Sequence, residues 1–259
     1  MRFRTPPAIL LILLCSLTQA FCSDEWPQFR GPEGNGVVRN VTLPLTWSET
    51  EHVAWKVPVE GEGFSSPVIT DNEIWLTTAI VEPLSEEEEQ AKLATLSTNP
   101  RGIKIGGPLT LKAVCYDAVT GEKKIDQVCF QFPVASPKHS TNSYASPSPI
   151  ASGDFIYCHF GDYGTCCINR QDGKVVWKNQ ELHADHQNGP GSSPVLWGDF
   201  LICPFDGIDK QYIAAFDIHT GKIAWKTDRS GELDPKPEFQ KAYCTPTVVE
   251  VNGKPQVIS

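Results

Sequence analysis

Several side chains of the kinds that bind metals or transfer protons stand between the short apolar runs of this sequence. His183, Asp185 and His186 fall close together, and imidazole and carboxylate groups are common metal ligands. Asp162 and Asp206 are the best candidates for the paired carboxylates of a polysaccharide lyase or hydrolase. However, loop residues of these types more often stabilise turns, and the sequence has no G-x-S-x-G, P-loop or H-E-x-x-H motif. We therefore predict no metal site and assign no catalytic residue.

The elements that must position these side chains recur along the chain. Each copy opens with a Ser-Pro step and a short strand, and an acidic turn leads to a second strand. A third strand ends in an Asp/Asn-x-x-x-Gly turn, and a fourth strand usually ends in Trp. Gly173 and Gly221 are 48 positions apart, and so are Trp177 and Trp225. Four strands per repeat with no helix between them predict an all-β propeller of four-stranded antiparallel blades.

The turn and the tryptophan of each repeat have physical roles in this prediction. Glycine permits the positive φ of a tight turn, and a tryptophan can be inserted between adjacent blades and bury a large area. We expect the residues that dock the blades to be Asp117, Gly121, Asn169, Gly173, Trp177, Asp217, Gly221 and Trp225.

The repeats also divide the chain. Residues 1–22 are predicted to be a signal peptide, 23–52 an N-terminal extension and 53–259 a partial propeller. Its blades are expected at about 64–132, 144–182 and 192–230, with a partial blade at 243–259. An insertion at about 81–107 interrupts the first blade, in which Ile125 stands where tryptophan is expected. Ser85 and Glu88 fit a capping box, which predicts a short, solvated helix to about Leu96.

The ends of the chain and its cysteines indicate its compartment. A positive start is followed by an apolar run at 8–15 and small residues before Cys22, which is typical of a secretory signal peptide and predicts an exported protein, periplasmic or extracellular. The seven cysteines after Cys22 have no disulfide-like spacing, so we expect small buried side chains. Cys166 and Cys167 adjoin in a predicted strand and should point to opposite faces.

The repeat resembles a known family. The stretch Ala214-x-x-Asp217-x-x-Thr220-Gly221-x-x-x-Trp225 resembles the pyrroloquinoline-quinone (PQQ) repeat of quinoprotein-like propellers. The stretch from Trp26 to Gly36 looks like the opening of exported PQQ-like propellers of planctomycete-type bacteria.

The resemblance implies the propeller fold for the mature chain but allows two functions. Many proteins with this repeat bind no quinone, and others are PQQ- and calcium-dependent dehydrogenases. It also implies more blades than 259 residues hold, so we expect an N-terminal fragment. Its strand at 53–57 would close the ring against a later blade.

One face of such a propeller gathers the loops that enter each blade and those that join its second and third strands. We predict a ligand-binding face there, formed by His139, Asn142, Tyr144, His159, Asp162, His186, Gln187, Asn188, Asp206, Asp209, Lys241 and Tyr243.

The function expected is that of a non-catalytic binding or scaffold module with a protein or polysaccharide partner. Lys and Arg number 22 against 31 Asp and Glu, a net charge of -9, which argues against nucleic acid as a partner. No membrane span is expected after signal cleavage, and no cofactor. The alternative is an oxidoreductase with PQQ and calcium, for which Lys138, Arg229 and Lys241 are the available cations.

Overall fold

The computed structural model describes residues 25–39 and 41–259, so the predicted signal peptide lies outside the described residues. The first sheet contains an insertion between its second and third strands. In chain order its elements are β1 (Val68–Thr70), β2 (Glu73–Val81), α1 (Glu86–Leu93), β3 (Ile103–Lys104), β4 (Leu109–Asp117) and β5 (Lys123–Phe132). The four-stranded sheet has the order β1-β2-β4-β5, with every pair antiparallel.

The same arrangement follows twice more. After β6 (Lys138–His139), which pairs with β3, the second sheet consists of β7 (Ile150–Ser152), β8 (Phe155–His159), β9 (Thr165–Asn169) and β10 (Val175–Asn179). The third consists of β11 (Val195–Trp197), β12 (Phe200–Asp206), β13 (Gln211–Asp217) and β14 (Ile223–Asp228). Both have consecutive antiparallel strands, and a hairpin of β15 (Thr247–Val251) and β16 (Lys254–Ile258) begins a fourth unit. This confirms the all-β propeller fold of four-stranded blades.

The blades bury their apolar side chains against each other. One core cluster lies between the first two sheets and includes Trp75, Leu111, Ile156 and Cys166. A second lies between the second and third sheets and includes Tyr157, Cys167, Leu201 and Phe216. Cys166 and Cys167 therefore point to opposite faces of β9, as predicted, because side chains alternate along a strand. Of the seven cysteines after Cys22, six are buried and Cys244 is exposed.

A large side chain at the edge of one blade docks on the glycine turn of the next. The indole N–H of Trp177 donates a 2.8 Å hydrogen bond to the Ile218 carbonyl, and its ring packs so closely on Gly221 that a Cβ there would overlap it. Trp55 does the same at the first blade, with a 3.0 Å bond to Ala118 O and its ring on Gly121.

The first blade docks on the second through a smaller side chain. Ile125 packs on Gly173, where an added Cβ would lie 2.7 Å from its Cγ2. Gly121, Gly173 and Gly221 have φ values of 74°, 72° and 68°, a region that favours glycine. Isoleucine therefore fills the docking site without a hydrogen bond of the kind that the tryptophans make.

A β-bulge precedes each docking residue of the three complete blades. Ile125, Trp177 and Trp225 pair with Cys115, Cys167 and Ala215, and in each case the register shifts by one residue immediately before the docking position. A bulge increases local twist and re-aims a side chain. The bulge therefore turns the docking side chain out of its own sheet towards the neighbouring blade.

The Ser-Pro steps join the inner strands to each other. The Ser148 hydroxyl accepts a 2.9 Å hydrogen bond from Ser66 N–H, and the Ser193 hydroxyl accepts one of 2.9 Å from Ser148 N–H. Thr245 continues the series by accepting from Ser193 N–H at 3.1 Å. The hydroxyl of each blade thus satisfies a backbone donor of the preceding blade, at a depth where an unpaired N–H is costly.

The chain before the first blade follows the inner strands and then leaves them. Trp26 forms a two-bond bridge with Ile69 of β1, and the Pro27 carbonyl accepts from Ala151 N–H of β7. Residues 53–57 form no strand among the described residues. Their pairing with a later blade stays a prediction, and Trp55 docks as a blade's outer tryptophan does.

The insertion contains the expected helix. α1 begins with Ser85 as its N-cap, and both hydrogen bonds of the Ser85–Glu88 capping box are present. None of its residues is buried, which confirms a solvated helix. In the described ranges, no helix has the length and apolar character needed to cross a membrane.

Candidate functional site

The propeller has two different ends. We call the end that carries the Asp/Asn-x-x-x-Gly turns the turn face, and the end that carries the entry loops and the second-to-third-strand loops the loop face. On the loop face a cavity of about 260 Å³ opens between the second and third sheets. It is lined by Ser136, Pro137, Asp162, Tyr163, His183, Ala184, Asp185, His186, Gln187, Gly189, Pro190 and Asp209.

Three carboxylates of this cavity hold its loops together. Asp162 Oδ1 accepts from His183 Nδ1 at 2.9 Å and from Ala184 N–H at 3.2 Å. Asp209 Oδ1 accepts from Asp185 N–H at 2.7 Å, and Asp185 Oδ1 accepts from Gln187 N–H at 2.8 Å. In all three residues the bonded oxygen is Oδ1, so Oδ2 makes none of these hydrogen bonds.

His186 has an unusual environment in the same cavity. Its side chain is only 9% exposed, and among the described residues neither ring nitrogen has a hydrogen-bond partner. Burial lowers the pKa of His186, although the carboxylates of Asp162, Asp206, Asp185 and Asp209 oppose that shift. The ring is therefore neutral near pH 7, with one donor and one acceptor nitrogen unused.

A second histidine lies behind the cavity wall. His159 is buried, its Nδ1 lies 2.9 Å from Thr165 Oγ1, and its ring packs edge-on against Phe205. Burial, with a smaller contribution from His186, lowers the pKa of His159 to about 3. It is an uncharged core residue, which corrects its predicted place on the ligand-binding face.

Three cations near the loop face, Lys138, Lys241 and Arg229, are engaged within the chain. Lys138 donates to Asn142 O at 2.7 Å, and Lys241 donates to Gln187 Oε1 at 2.6 Å. Arg229 donates through two nitrogens to the carboxylate of Asp206, which is 1% exposed. A bidentate Arg–carboxylate pair of this kind is rigid and orders the loops that carry it.

The remaining predicted residues organise loops. Asn142 donates to Asn188 O at 2.7 Å and to Pro190 O at 3.1 Å, and Tyr243 donates to His186 O at 3.0 Å. His139 Nδ1 lies 2.8 Å from Thr141 Oγ1. Tyr144 is 1% exposed and donates to Ser136 O, so it lies in the core and not on the accessible face.

The structure thus brings four of the twelve predicted face residues into one cavity: Asp162, His186, Gln187 and Asp209. His183 and Asp185, considered in the sequence as metal ligands, join them. Sequence reasoning did not single out Ser136 or Pro137, because no repeat position marks the residues of an entry loop that face a neighbouring blade.

Two kinds of bound group were considered in the sequence, a metal ion and PQQ with calcium. Within residues 25–39 and 41–259, no three His, Cys, Asp or Glu side chains converge in a way that could hold a metal ion. In the part of the chain that the structure describes, Lys138, Lys241 and Arg229, the cations considered for PQQ, all have internal partners.

Comparison with known proteins gives a family and a set of structures. A model of the PQQ_2 family, described as outer membrane protein assembly factor BamB, matches residues 109–257. The curated proteins contain no match.

The similar solved structures resemble the chain only distantly. A europium-containing methanol dehydrogenase is 14% identical, covering 65% of this chain and 26% of its own, with a TM-score of 0.38. BamB from Moraxella catarrhalis is 16% identical, covering 68% and 59%, with a TM-score of 0.37. A quinohemoprotein alcohol dehydrogenase from Pseudomonas putida HK5 is 13% identical, covering 69% and 22%, with a TM-score of 0.39. The chain therefore spans about a quarter of the two dehydrogenases and about three fifths of that BamB.

Proposed function

Because this chain belongs to the PQQ_2 family of PQQ-repeat β-propellers, we propose that it is an exported, non-catalytic binding module whose loop face binds a protein partner. The resemblance to PQQ-repeat propellers allows both a scaffold and a dehydrogenase, so membership alone does not choose between them. The chemistry of the loop face supports the choice made here.

One observation carries this proposal: three cations of the loop face are used to hold its loops. Arg229 pairs with Asp206, Lys241 is bound to Gln187, and Lys138 is bound to Asn142. A catalytic electrophile must be free to meet a substrate. Cations that hold loops give the surface a fixed shape instead, which suits recognition of a partner with little ordering cost.

Export is part of the proposal and is supported by the signal-peptide pattern in residues 1–22. A polysaccharide lyase or hydrolase is disfavoured, because the Asp162 and Asp206 carboxylates that it would use are engaged with His183 and with Arg229.

Photo-crosslinking tests where a partner binds. A photo-reactive amino acid replaces Lys210, an exposed residue of the loop face, or Lys222, an exposed residue of the turn face, in the full chain expressed in its source cells. We expect one protein adduct from position 210 and none from position 222. Adducts from position 222 alone, or equal adducts from both, would overturn the assignment of the loop face.

Reconstitution tests the non-catalytic part of the proposal. The purified full chain is incubated with PQQ and Ca²⁺, and quinone absorbance and dye-linked alcohol oxidation are measured. We expect neither signal. Uptake of one quinone per chain would replace the scaffold function with an oxidoreductase function.

A further inference from the structure

We propose that the cavity between the second and third sheets is a specific site for the cationic end of a lysine or arginine side chain. This inference rests on the proposed function, because the side chain would belong to the protein that the loop face binds. Three features of the cavity residues described above support this site.

The first feature is unbalanced negative charge. Asp162, Asp185 and Asp209 all line the cavity. In the described part of the chain, the one ion pair that involves any of them joins Asp162 to His183, whose side chain is 58% exposed. Lys241 is near enough for Asp185 to raise its pKa, yet burial still lowers that pKa and its ammonium group donates to Gln187. The cavity therefore attracts a cation that the chain does not supply.

The second feature is the unused imidazole of His186. A buried polar group without a partner costs about 1–3 kcal/mol, so native structures rarely keep one without reason. The neutral ring offers one acceptor and one donor. An ammonium or guanidinium group can donate to the acceptor nitrogen of this ring.

The third feature is the size and lining of the cavity. Its volume of about 260 Å³ is below the range of roughly 300–1,000 Å³ that holds drug-sized ligands and cofactors. Pro137, Tyr163, Ala184 and Pro190 line it with apolar surface, against which the methylene stem of lysine or arginine can pack. A single long side chain with a charged end fits these walls.

The loops around the site are already held in place. Ile208 N–H donates to Asp185 O at 2.8 Å, which ties the two loops in addition to the Asp209–Asp185 bond. A Cβ at Gly207 would lie 2.6 Å from Asp185 O, so only glycine permits this approach. The carboxylates are thus preorganised, which reduces the ordering cost of binding.

Small probes test the site without the partner. Binding of Nα-acetyl-lysine methylamide, Nα-acetyl-arginine methylamide and the uncharged Nα-acetyl-norleucine methylamide to the full chain is measured by NMR titration. We expect both cationic amides to bind, with an affinity that falls at high salt. The norleucine amide should bind at least about tenfold more weakly. Norleucine binding equal to lysine binding would overturn the inference, and so would one-to-one binding of Ca²⁺ or Zn²⁺ with no binding of the cationic amides.

Isosteric variants locate the binding. In Asp185→Asn/Asp209→Asn, the amide oxygens can still accept the loop hydrogen bonds, so the fold is kept while the charge is lost. We expect about a tenfold or greater loss of lysine amide affinity. Asp199→Asn is the matched control on the turn face, where that side chain is 76% exposed, and should bind unchanged. Unchanged binding by the double variant would refute the site.

The crosslinking assay separates this inference from the proposed function. If the double variant forms no adduct at position 210 and no longer binds the lysine amide, the proposed function and the cavity site both stand. If the adduct persists while no cationic amide binds, the loop face still binds a partner but the cavity does not read a cationic side chain. If the amides bind and no adduct forms at position 210, the cavity site stands and the proposed partner function fails.

Discussion

Replacing Trp177 with alanine should strongly weaken the contact between the second and third blades. The side chain is 8% exposed, its indole N–H donates to Ile218 O at 2.8 Å, and its ring lies on Gly221. Truncation of a buried Phe or Trp to alanine typically costs about 3–5 kcal/mol, since apolar burial is lost and a cavity remains. We expect the free energy of unfolding to fall by about that amount.

Two further variants divide this effect into its causes. Trp177→Phe keeps an aromatic ring and removes the hydrogen bond, so it should cost about 1–2 kcal/mol. Trp177→Ile copies the docking residue of the first blade, Ile125, and should fall between the phenylalanine and alanine variants. The order Phe, Ile, Ala would show that filled volume contributes more than the hydrogen bond.

The glycine under the ring provides a complementary test. Gly221 and Gly198 have φ values of 68° and 55°, but an added Cβ would overlap the Trp177 ring at Gly221 and meets nothing within 4 Å at Gly198. Both alanine variants carry the backbone strain of about 1–2 kcal/mol. The excess cost of Gly221→Ala therefore measures the close approach of tryptophan to the turn.

Urea unfolding followed by far-ultraviolet circular dichroism is the assay. The control is Trp197→Ala, because Trp197 is 43% exposed and lies at the end of a short inner strand. We expect the control to cost less than about 1 kcal/mol. Trp177→Ala should also lower the slope of free energy against urea, since blades that lose their contact unfold less cooperatively. The docking argument would be refuted if the two alanine variants had equal stability.

Three other outcomes follow from the contacts described. Ser193→Ala should lower the free energy of unfolding by about 1–3 kcal/mol, because the Ser148 N–H loses its acceptor. Ser230→Ala, at an exposed position, should leave stability unchanged, and equal effects of the two variants in urea unfolding would contradict this. Lowering the pH from 6.5 to 5.5 should reduce the free energy of unfolding by about 1 kcal/mol through His159. The pKa of His159 is about 3 in the folded chain and 6.5 in the unfolded chain, so the unfolded chain takes up the proton. His159→Gln should remove this contribution to the pH dependence of unfolding. Iodoacetamide should modify Cys244 alone among the seven cysteines after Cys22 in the native chain, and alkylation of Cys115 in peptide mapping would show that the blades open.

The repeat made most of the fold predictable. Trp177 and Trp225 recur at the period of Gly173 and Gly221, and a period of that length without helices permits few architectures. The helix at 86–93 was predictable because its capping box is local in sequence. The strand predicted at 53–57 stays a prediction, since a strand forms only where a partner edge is available and the later blade expected to supply that edge is not among the described residues.

The candidate site was predictable only in part. Alternation along β9 placed Cys166 and Cys167 on opposite faces, because side-chain direction in a strand is a local property. The burial of Tyr144 and His159 was missed, because Tyr144 stands in a polar stretch and His159 stands where an apolar strand meets a predicted loop. Their burial depends on the neighbouring blade that covers them.

By itself, the sequence determined the strand period, the glycine turns and the side chains available to dock one blade on another, since these depend on spacing along one chain. Only the tertiary structure decided which charges are free. Lys138, Lys241 and Arg229 have partners 4, 54 and 23 positions away, and His186 has none among the described residues. For Lys241 and Arg229, pairing depends on distances between segments that are separate in sequence, and those distances exist only once the chain is folded.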